Sequence, residues 1–142
     1  EVAQNHLGVT HGLLADQGPA ADRMLGINDG GSFDAVFLTV GVAPLVDEAL
    51  TVVQRDGRVV FLALFDEPVQ FEPFDIVGRD VSFVGSQMYN AADIQTAIDL
   101  IASGAVDAEA VVTHVLPLEQ AQLAFEMAES KSDGAIKVVL EH

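Results

Sequence analysis

Three short segments, each directly after a run of apolar residues, are where this chain could do chemistry. They are Thr39-Val40-Gly41, Leu62-Ala63-Leu64 and Ser86-Gln87-Met88. In a doubly wound sheet, ligands bind beyond the carboxyl ends of the strands, where backbone groups are free to meet them. Glycine at position 41 either lets the backbone approach a flat ring or a ribose closely, or only permits the turn into the next helix. The three exits therefore predict a ligand site at one edge of a sheet.

The other residue types that commonly carry catalysis form no recognisable constellation. The four histidines, His6, His11, His114 and His142, have no ligand-like spacing with one another or with a carboxylate pair. The sequence contains no cysteine, which excludes disulfides and thiolate metal sites. Gly30-Gly31 lacks the preceding strand and following helix of a phosphate-binding loop. We therefore expect the histidines to be structural or exposed, and we assign no catalytic or metal-binding residue in this chain.

Composition limits the possible partners. The 142 residues, half of them hydrophobic, fit one ordinary domain with a core. The 22 acidic and 6 basic residues give a net charge of -16, which makes binding to nucleic acid or to an anionic membrane unfavourable. The carboxylates are dispersed, so an acidic face for a basic partner is not indicated. A folded domain this acidic, with Lys131 and Lys137 as its two lysines, predicts adaptation to high salt, where counterions screen self-repulsion.

Location follows from what the sequence lacks. No apolar run approaches the roughly 20 residues needed to span a bilayer, and no basic-then-apolar leader opens the chain. We therefore expect a soluble, cytoplasmic protein. The chain also begins without methionine, at what resembles the end of a helix, which favours a piece of something longer.

The elements that position the three exits alternate between strand and helix. The runs Ala35–Val40 and Val59–Leu64 are continuously apolar, as in parallel strands that are covered on both faces. A helix from Leu45 to Gln54 lies between them, and Asp56-Gly57 is expected to end it. Val81–Gly85 is a third strand. Strand, helix and strand at this spacing predict a right-handed crossover unit in an α/β fold.

The start of the chain has weaker signals. Residues up to Leu7 are predicted to be the last turns of a helix that Gly8 caps. Val9–Leu14 is a candidate strand, and Pro19–Ile27 is a candidate helix with proline near its first turn. If the strand is unpaired, its edge would be exposed and folding of the chain by itself would be marginal.

The last third is predicted to hold two amphipathic helices. Asn90 is expected to cap a helix over Ala91–Ala102, with Asp93 completing a short capping box. A second helix is expected over Leu118–Glu129. The residues predicted to face inward in the first helix are Ile94, Ala97, Ile98 and Ile101. In the second helix, Leu118, Ala121, Phe125 and Ala128 have the spacing of one face.

Several ordered motifs resemble one known family. The segment Val111-Val-Thr-His-Val-Leu-Pro-Leu-Glu-Gln120, then Ala124-Phe125-Glu126 and the ending Ile136-Lys137-Val-Val-Leu140, is similar to the carboxyl end of the medium-chain dehydrogenase/reductase family. Phe33–Gly41, Asp56–Phe65 and Val81–Ser86 resemble three consecutive strands of that family's nucleotide-binding sheet. Ala63 and the following Phe65-Asp-Glu-Pro-Val69 resemble the butanediol and sorbitol dehydrogenase branch. The resemblance covers essentially the whole chain.

This resemblance implies a fold and a set of cofactor contacts. The fold is α/β, an incomplete Rossmann-like doubly wound parallel sheet, with residues 1–90 as part of the nucleotide-binding domain and 91–142 as a segment that returns to a catalytic domain. Thr39, Val40 and Gly41 would lie against the nicotinamide riboside. Leu62, Ala63 and Leu64, with Ser86, Gln87 and Met88, would complete that wall through their backbones. Lys137, near the end of the last strand, matches a basic position that reaches the pyrophosphate; its alternative role is that of a lone solubilising lysine.

The implied activity belongs to a larger protein. The intact protein would oxidise a secondary alcohol or polyol with NAD or NADP, and a catalytic zinc would polarise the alcohol oxygen. By resemblance, the Gly-x-Gly-x-x-Gly turn, the zinc ligands and the proton relay would precede Glu1, so this chain alone is expected to be inactive. The strand Val81–Gly85 would lie at a sheet edge that pairs across a dimer, so a homodimer or a higher oligomer is expected.

Three alternatives stay open. The chain could be a non-catalytic binding or structural module with this fold, a member of the zinc-free quinone reductases, or an unrelated doubly wound domain. The Thr113–Glu119 motif favours the zinc branch. A Gly-x-Gly-x-x-Gly turn together with a Cys, His and Glu zinc set in the coding sequence upstream would favour the dehydrogenase over the module.

Overall fold

The computed structural model describes residues 2–14 and 17–142. It divides into two compact units: the sheet unit, Leu13–Met88, and the terminal unit, Glu1–Gly12 with Tyr89–His142. In chain order the helices are α1 Val2–His6, α2 Ala21–Ile27, α3 Pro44–Val52, α4 Pro73–Val77, α5 Ala91–Ala102 and α6 Ala121–Ser130. The strands are β1 Phe33–Leu38, β2 Val53–Phe61, β3 Ser82–Gly85, β4 Val112–Pro117 and β5 Lys137–Glu141.

The sheet unit contains the predicted parallel sheet. Its order is β1-β2-β3, and both pairings are parallel. Helix α3 connects β1 to β2 and buries Val46, Ala49 and Leu50 against the sheet, each at most 3% exposed. Burying a valine or leucine side chain contributes about 1.5–3 kcal/mol. The predicted succession of strand, helix and parallel strand is therefore confirmed.

A turn occurs at the predicted Asp56-Gly57, but it does not end α3. Helix α3 ends at Val52, not at Gln54, and β2 begins directly at Val53. The pairing then jumps from Phe33 with Val53 to Ala35 with Arg58, so residues 54–57 bulge out of the ladder. Asp56, with φ 60°, makes the left-handed turn inside this bulge. The turn predicted at Asp56-Gly57 is thus a bulge within β2.

At the start of the chain, the predicted helix and its glycine cap are confirmed, whereas the predicted strand is not. Helix α1 ends at His6 and Gly8 has φ 71°, as expected for a glycine after a helix. Residues 9–14 form no strand, so the prediction for Val9–Leu14 is wrong. A strand exists only where a neighbouring strand completes its ladder, and none of the described strands pairs with this segment. Helix α2 begins at Ala21, two residues after Pro19.

The terminal unit contains the parallel pair β4 and β5, with α6 packed mainly on β5. The predicted cap of α5 is confirmed. The Asn90 side-chain oxygen accepts from the backbone N–H groups of Ala92 at 2.8 Å and Asp93 at 3.1 Å, and the Asp93 carboxylate accepts from the Asn90 N–H at 2.9 Å. This reciprocal arrangement satisfies donors that a helix start leaves unpaired.

The predicted inward face of α5 is wrong, and the apolar face of α6 is mostly exposed. All residues of α5 are exposed, including Ile94, Ile98 and Ile101 at 46–53%. In α6 the buried residue is Ala124, whereas Phe125 is 72% exposed. Leu118 and Ala128 are also exposed, while Ala97 shares the exposure of α5 and Ala121 is half-buried. Periodicity identifies which side of a helix is apolar, but burial also needs a partner surface, and the described residues supply none for these faces.

Candidate cofactor-binding site

The three predicted exits lie side by side at one edge of the sheet. Leu38, Phe61 and Gly85, the last residues of β1, β2 and β3, are paired in register. The N–H groups of Leu62 and Ala63 both donate to the Leu38 carbonyl at 3.0 Å. The Ser86 N–H donates to the Phe61 carbonyl at 2.9 Å. Each exit is thus tied by its backbone to the neighbouring strand, and the three form a continuous edge.

Gly41 is set by a close contact between two of these exits. A Cβ atom on Gly41 would lie 1.8 Å from the Leu64 carbonyl oxygen and 3.2 Å from the Phe65 Cα. The φ of Gly41 lies outside the left-handed region, so the turn into α3 does not by itself require glycine. Glycine is needed because the second exit crosses directly over the first. The sequence left open a ligand or a turn as the reason; the structure supplies a third, which is contact within the chain.

Phenylalanine rings anchor the loop that makes this contact. The Phe65 ring lies 5.9 Å from Phe61, and Phe61 meets Phe83 edge-on at 5.0 Å. Phe71 continues the series at 5.4 Å from Phe83. Aromatic pairs in such arrangements contribute about 0.5–1.5 kcal/mol beyond the area they bury. The rings therefore hold the backbone of Leu64 and Phe65 over Gly41.

The surface of the three exits is apolar and carries no formal charge. Val40 is 57% exposed, Leu64 is 79% exposed and Met88 is 77% exposed, and Leu62 is nearly half exposed. Met88 adopts a left-handed backbone with φ 60°. None of the nine exit residues is acidic, although the whole chain has net charge -16. A flat, weakly polar ring fits such a surface, because apolar side chains can cover its faces while backbone groups meet its edge.

Acidic residues stand close beside this surface. An open cavity of about 390 Å³ is lined by Gly41, Pro44 and Phe65 together with Asp66 and Glu67. Anionic phosphates would be repelled by these two carboxylates, so this cavity does not fit the pyrophosphate end of a dinucleotide. The exits therefore fit an uncharged ring better than a phosphate group.

The structure corrects the position of Lys137. This residue is the first of β5, so it lies at the amino end of the strand and not near its end as predicted. Its side chain is exposed. It belongs to the terminal unit, whereas the nine exit residues belong to the sheet unit. Sequence reasoning also missed Thr113, whose hydroxyl bonds to the backbone on both sides of the peptide that joins Ile136 to Lys137. Its place in the Thr-His-Val-Leu-Pro motif was the available signal.

The histidines do not form a metal site. His6 lies 3.5 Å from the Asp107 carboxylate, and the His114 Nδ1 lies 3.0 Å from the Thr113 hydroxyl. Over residues 2–14 and 17–142, no group of three or more His, Asp or Glu side chains could hold a metal ion. The residues present here therefore do not fit a zinc centre.

None of the helices within residues 2–14 and 17–142 has the length and apolar composition of a membrane span.

Comparison with known families identifies the family of this chain. Residues 1–103 match the family model described as zinc-binding dehydrogenase. The chain belongs to the zinc-binding dehydrogenase family. Within that family, it is 31% identical over 108 residues to the 2-dehydro-3-deoxy-L-galactonate 5-dehydrogenase of Pseudoalteromonas atlantica, covering 76% of this chain and 31% of the relative. It is 26% identical over 135 residues to the sorbitol dehydrogenase of Halalkalibacterium halodurans, covering 94% of this chain and 39% of the relative.

Solved structures give the same result for the fold. The alcohol dehydrogenase of Thermus sp. ATN1 superposes with a TM-score of 0.82 at 28% identity, covering 92% of this chain and 37% of that one. An alcohol dehydrogenase from E. coli CFT073, complexed with NADH, superposes with a TM-score of 0.85 at 21% identity, covering 95% and 39%. The chain spans about a third of the length of the curated relatives it matches. The predicted family and the α/β, Rossmann-like fold are confirmed.

Proposed function

We propose that this chain is the carboxyl-terminal, cofactor-binding part of a zinc-dependent alcohol or polyol dehydrogenase, which transfers a hydride from a secondary alcohol to NAD or NADP. The observation that carries the proposal is the continuous, uncharged edge made by three parallel strand exits, in a chain of this family. The names of its relatives support a polyol or sugar-acid substrate, since they include a sorbitol dehydrogenase and a D-arabitol-phosphate dehydrogenase.

Each exit has a proposed role. Thr39, Val40 and Gly41 face the nicotinamide riboside. Leu62, Ala63 and Leu64, with Ser86, Gln87 and Met88, complete the wall through backbone groups and exposed apolar side chains. Because Gly41 and Leu64 touch, the first two exits act as one surface whose shape is fixed before the cofactor arrives. A surface that is rigid in advance loses less entropy on binding.

The wider assignment divides the chain by function. Residues 1–90 belong to the nucleotide-binding domain, and residues 91–142 return to the catalytic domain. A catalytic zinc in the whole protein would polarise the alcohol oxygen. The described residues do not fit that zinc, so no step of the reaction is assigned to them through a metal. The chain by itself is proposed to be inactive.

The test is hydride transfer by the protein expressed from its complete coding sequence. We expect reduced nicotinamide to accumulate with a panel of polyols, such as sorbitol, xylitol and arabitol, and one of NAD or NADP to be preferred. Metal analysis should find zinc, and a chelator should abolish turnover while cofactor binding persists. Cofactor binding without turnover of any alcohol would favour the non-catalytic module. Quinone reduction by a zinc-free preparation would favour the quinone reductases.

Assembly and habitat complete the proposal. The strand β3 is an edge strand of the described sheet, which supports pairing of two copies through it in a homodimer. Sedimentation of the whole protein as a monomer would contradict this.

The net charge of -16 supports function at high salt in the cytoplasm. Activity that is highest in dilute buffer would contradict the halophilic part, and recovery of the protein outside the cytoplasmic fraction would contradict the location.

A further inference from the structure

The sulfur-containing side chains of this chain differ in their exposure. The chain contains three methionines and no cysteine. Met24 in α2 and Met127 in α6 are half-buried, whereas Met88, in the exit of β3, is 77% exposed. Oxidants convert a thioether to a sulfoxide, and they reach exposed sulfur first. Met88 is therefore the methionine of this chain that an oxidant in solution meets most readily.

The backbone of Met88 has a conformation that methionine rarely adopts. Its φ of 60° lies in the left-handed region, and no other of the nine exit residues has such a backbone. Glycine adopts this conformation without the steric cost that a Cβ atom brings. Residues in such strained conformations cluster at ligand sites and switch regions. Since most of the side chain is exposed, packing inside the sheet unit does not explain a methionine at this position.

We propose that Met88 is a site of reversible oxidation: a hydroperoxide converts its thioether to the sulfoxide, and the sulfoxide weakens binding of the nicotinamide cofactor. This rests on the proposed function, in which the nine exit residues form the wall that faces the cofactor. The O–O bond of hydrogen peroxide breaks, one oxygen atom bonds to sulfur, and the other leaves as water. The sulfur is oxidised by two electrons. A methionine sulfoxide reductase supplied with a thiol removes the oxygen as water and forms a disulfide from the thiol.

The change in polarity gives the reason for weaker binding. Val40, Leu62 and Leu64 are exposed apolar members of the same exits. Their side chains have no donor for a sulfoxide oxygen, which is hydrogen-bonded to water before the cofactor arrives. A cofactor ring that covers this surface removes that water. A polar atom that loses its partners in this way corresponds to a rise in Kd of about tenfold.

The test uses the whole protein and two readouts that are independent of turnover. Mass spectrometry of peptides measures the sulfoxide at each methionine during a titration with hydrogen peroxide. Catalase then removes the peroxide, and titration with NADH or NADPH, whichever the untreated parent binds, gives the Kd. Met88→Leu removes the sulfur, and Met88→Gln places a permanent polar group at this position. Met24→Leu and Met127→Leu are the matched controls, because each removes a different methionine.

We expect Met88 to be half oxidised at roughly a fifth of the peroxide dose that Met24 and Met127 need. The Kd of the parent should rise about tenfold as the Met88 sulfoxide forms, and reductase with dithiothreitol should reverse the rise. Peroxide should leave the Kd of Met88→Leu at its own untreated value, whereas both controls should lose binding as the parent does. Before any oxidant is added, Met88→Gln should bind about tenfold more weakly than Met88→Leu.

The outcomes separate this inference from the proposed function. Oxidation of Met24 or Met127 before Met88 would overturn the modification site. An unchanged Kd with Met88 fully oxidised would overturn the effect on binding, as would an equal loss in Met88→Leu, which would trace the loss to other residues. If the untreated parent binds neither cofactor, the proposed function and the effect on binding both fail. The order in which the methionines are oxidised is measured independently of that result.

Discussion

Replacing Gly41 by alanine tests the site most directly. The new Cβ would lie 1.8 Å from the Leu64 carbonyl oxygen and 2.7 Å from its carbon, and real Cβ atoms essentially never approach another atom closer than 3.0 Å. The obstacle is backbone, so no side-chain rotation can relieve it. The two exits must therefore separate by about 1.2 Å, the gap between 1.8 and 3.0 Å. Forced rearrangements of this kind typically cost about 1–3 kcal/mol, occasionally more.

The substitution should lower both activity and stability. A misplacement of about 1 Å in a site that orients a reacting group lowers the rate by about a hundredfold. We expect Gly41→Ala to lower the free energy of unfolding of the whole protein by about 2–3 kcal/mol. We expect a fall in kcat/KM of about two orders of magnitude, since the backbone wall that is proposed to face the nicotinamide would no longer be continuous. Denaturant unfolding and initial rates of nicotinamide reduction measure the two effects.

Gly26 provides the matched control. It lies in α2 of the same unit, has nothing within 4 Å of an added Cβ, and its φ is outside the left-handed region. Gly26→Ala should therefore keep the activity and leave stability equal or higher by up to about 1 kcal/mol. If Gly41→Ala unfolds and reacts like Gly26→Ala, the second exit does not cross over the first, and the site described here is wrong.

Three further results are expected. Arg79→Met should lower the free energy of unfolding by about 2 kcal/mol, because the half-buried guanidinium donates to the Leu50 and Val53 carbonyls at the end of α3; denaturant unfolding checks this, and an unchanged midpoint would contradict it. Asn90→Ala should cost about 1 kcal/mol through loss of the capping box while Asn90→Asp retains most of it, and equal losses in the two variants would show that the cap is unimportant. The midpoint of thermal unfolding should be higher in molar sodium chloride than in dilute buffer, because charges are then screened beyond about 3 Å. Identical midpoints in the two solutions, or an equal rise in sucrose, would refute adaptation to salt.

Local signals in the sequence predicted the parallel sheet well. The apolar runs Ala35–Val40 and Val59–Leu64 located two parallel strands, because buried parallel strands are continuously apolar. Their bounds differ, since β1 covers Phe33–Leu38 and β2 covers Val53–Phe61. The cap of α5 was equally local, since Asn90 and Asp93 satisfy backbone donors within one turn. The bulge at Asp56 and the bulge at Thr113 could not be predicted in this way. Each depends on the register between two strands, which involves residues far apart in the chain.

Gly41 and Lys137 show the same division. The sequence identified Gly41 as an exit residue but could not supply its reason, because the atom it avoids belongs to Leu64, in another strand exit. The sequence likewise singled out Lys137 but placed it near the end of the last strand, whereas it is the first residue of β5. The strand boundary is set by pairing with Val112 and by the Thr113 hydroxyl, both of which lie more than twenty residues earlier.

The exposed faces of α5 and α6 have a different cause. Their apolar periodicity is real, yet Ile98 is 53% exposed and Phe125 is 72% exposed, while Ala124 alone in α6 is buried. An apolar stripe gains free energy only where a second surface removes it from water, so the same sequence is buried or exposed according to what else is present. Protection of the α5 amides from hydrogen exchange should therefore be greater in the whole protein than in this chain alone, and equal protection would show that these faces are exposed in both.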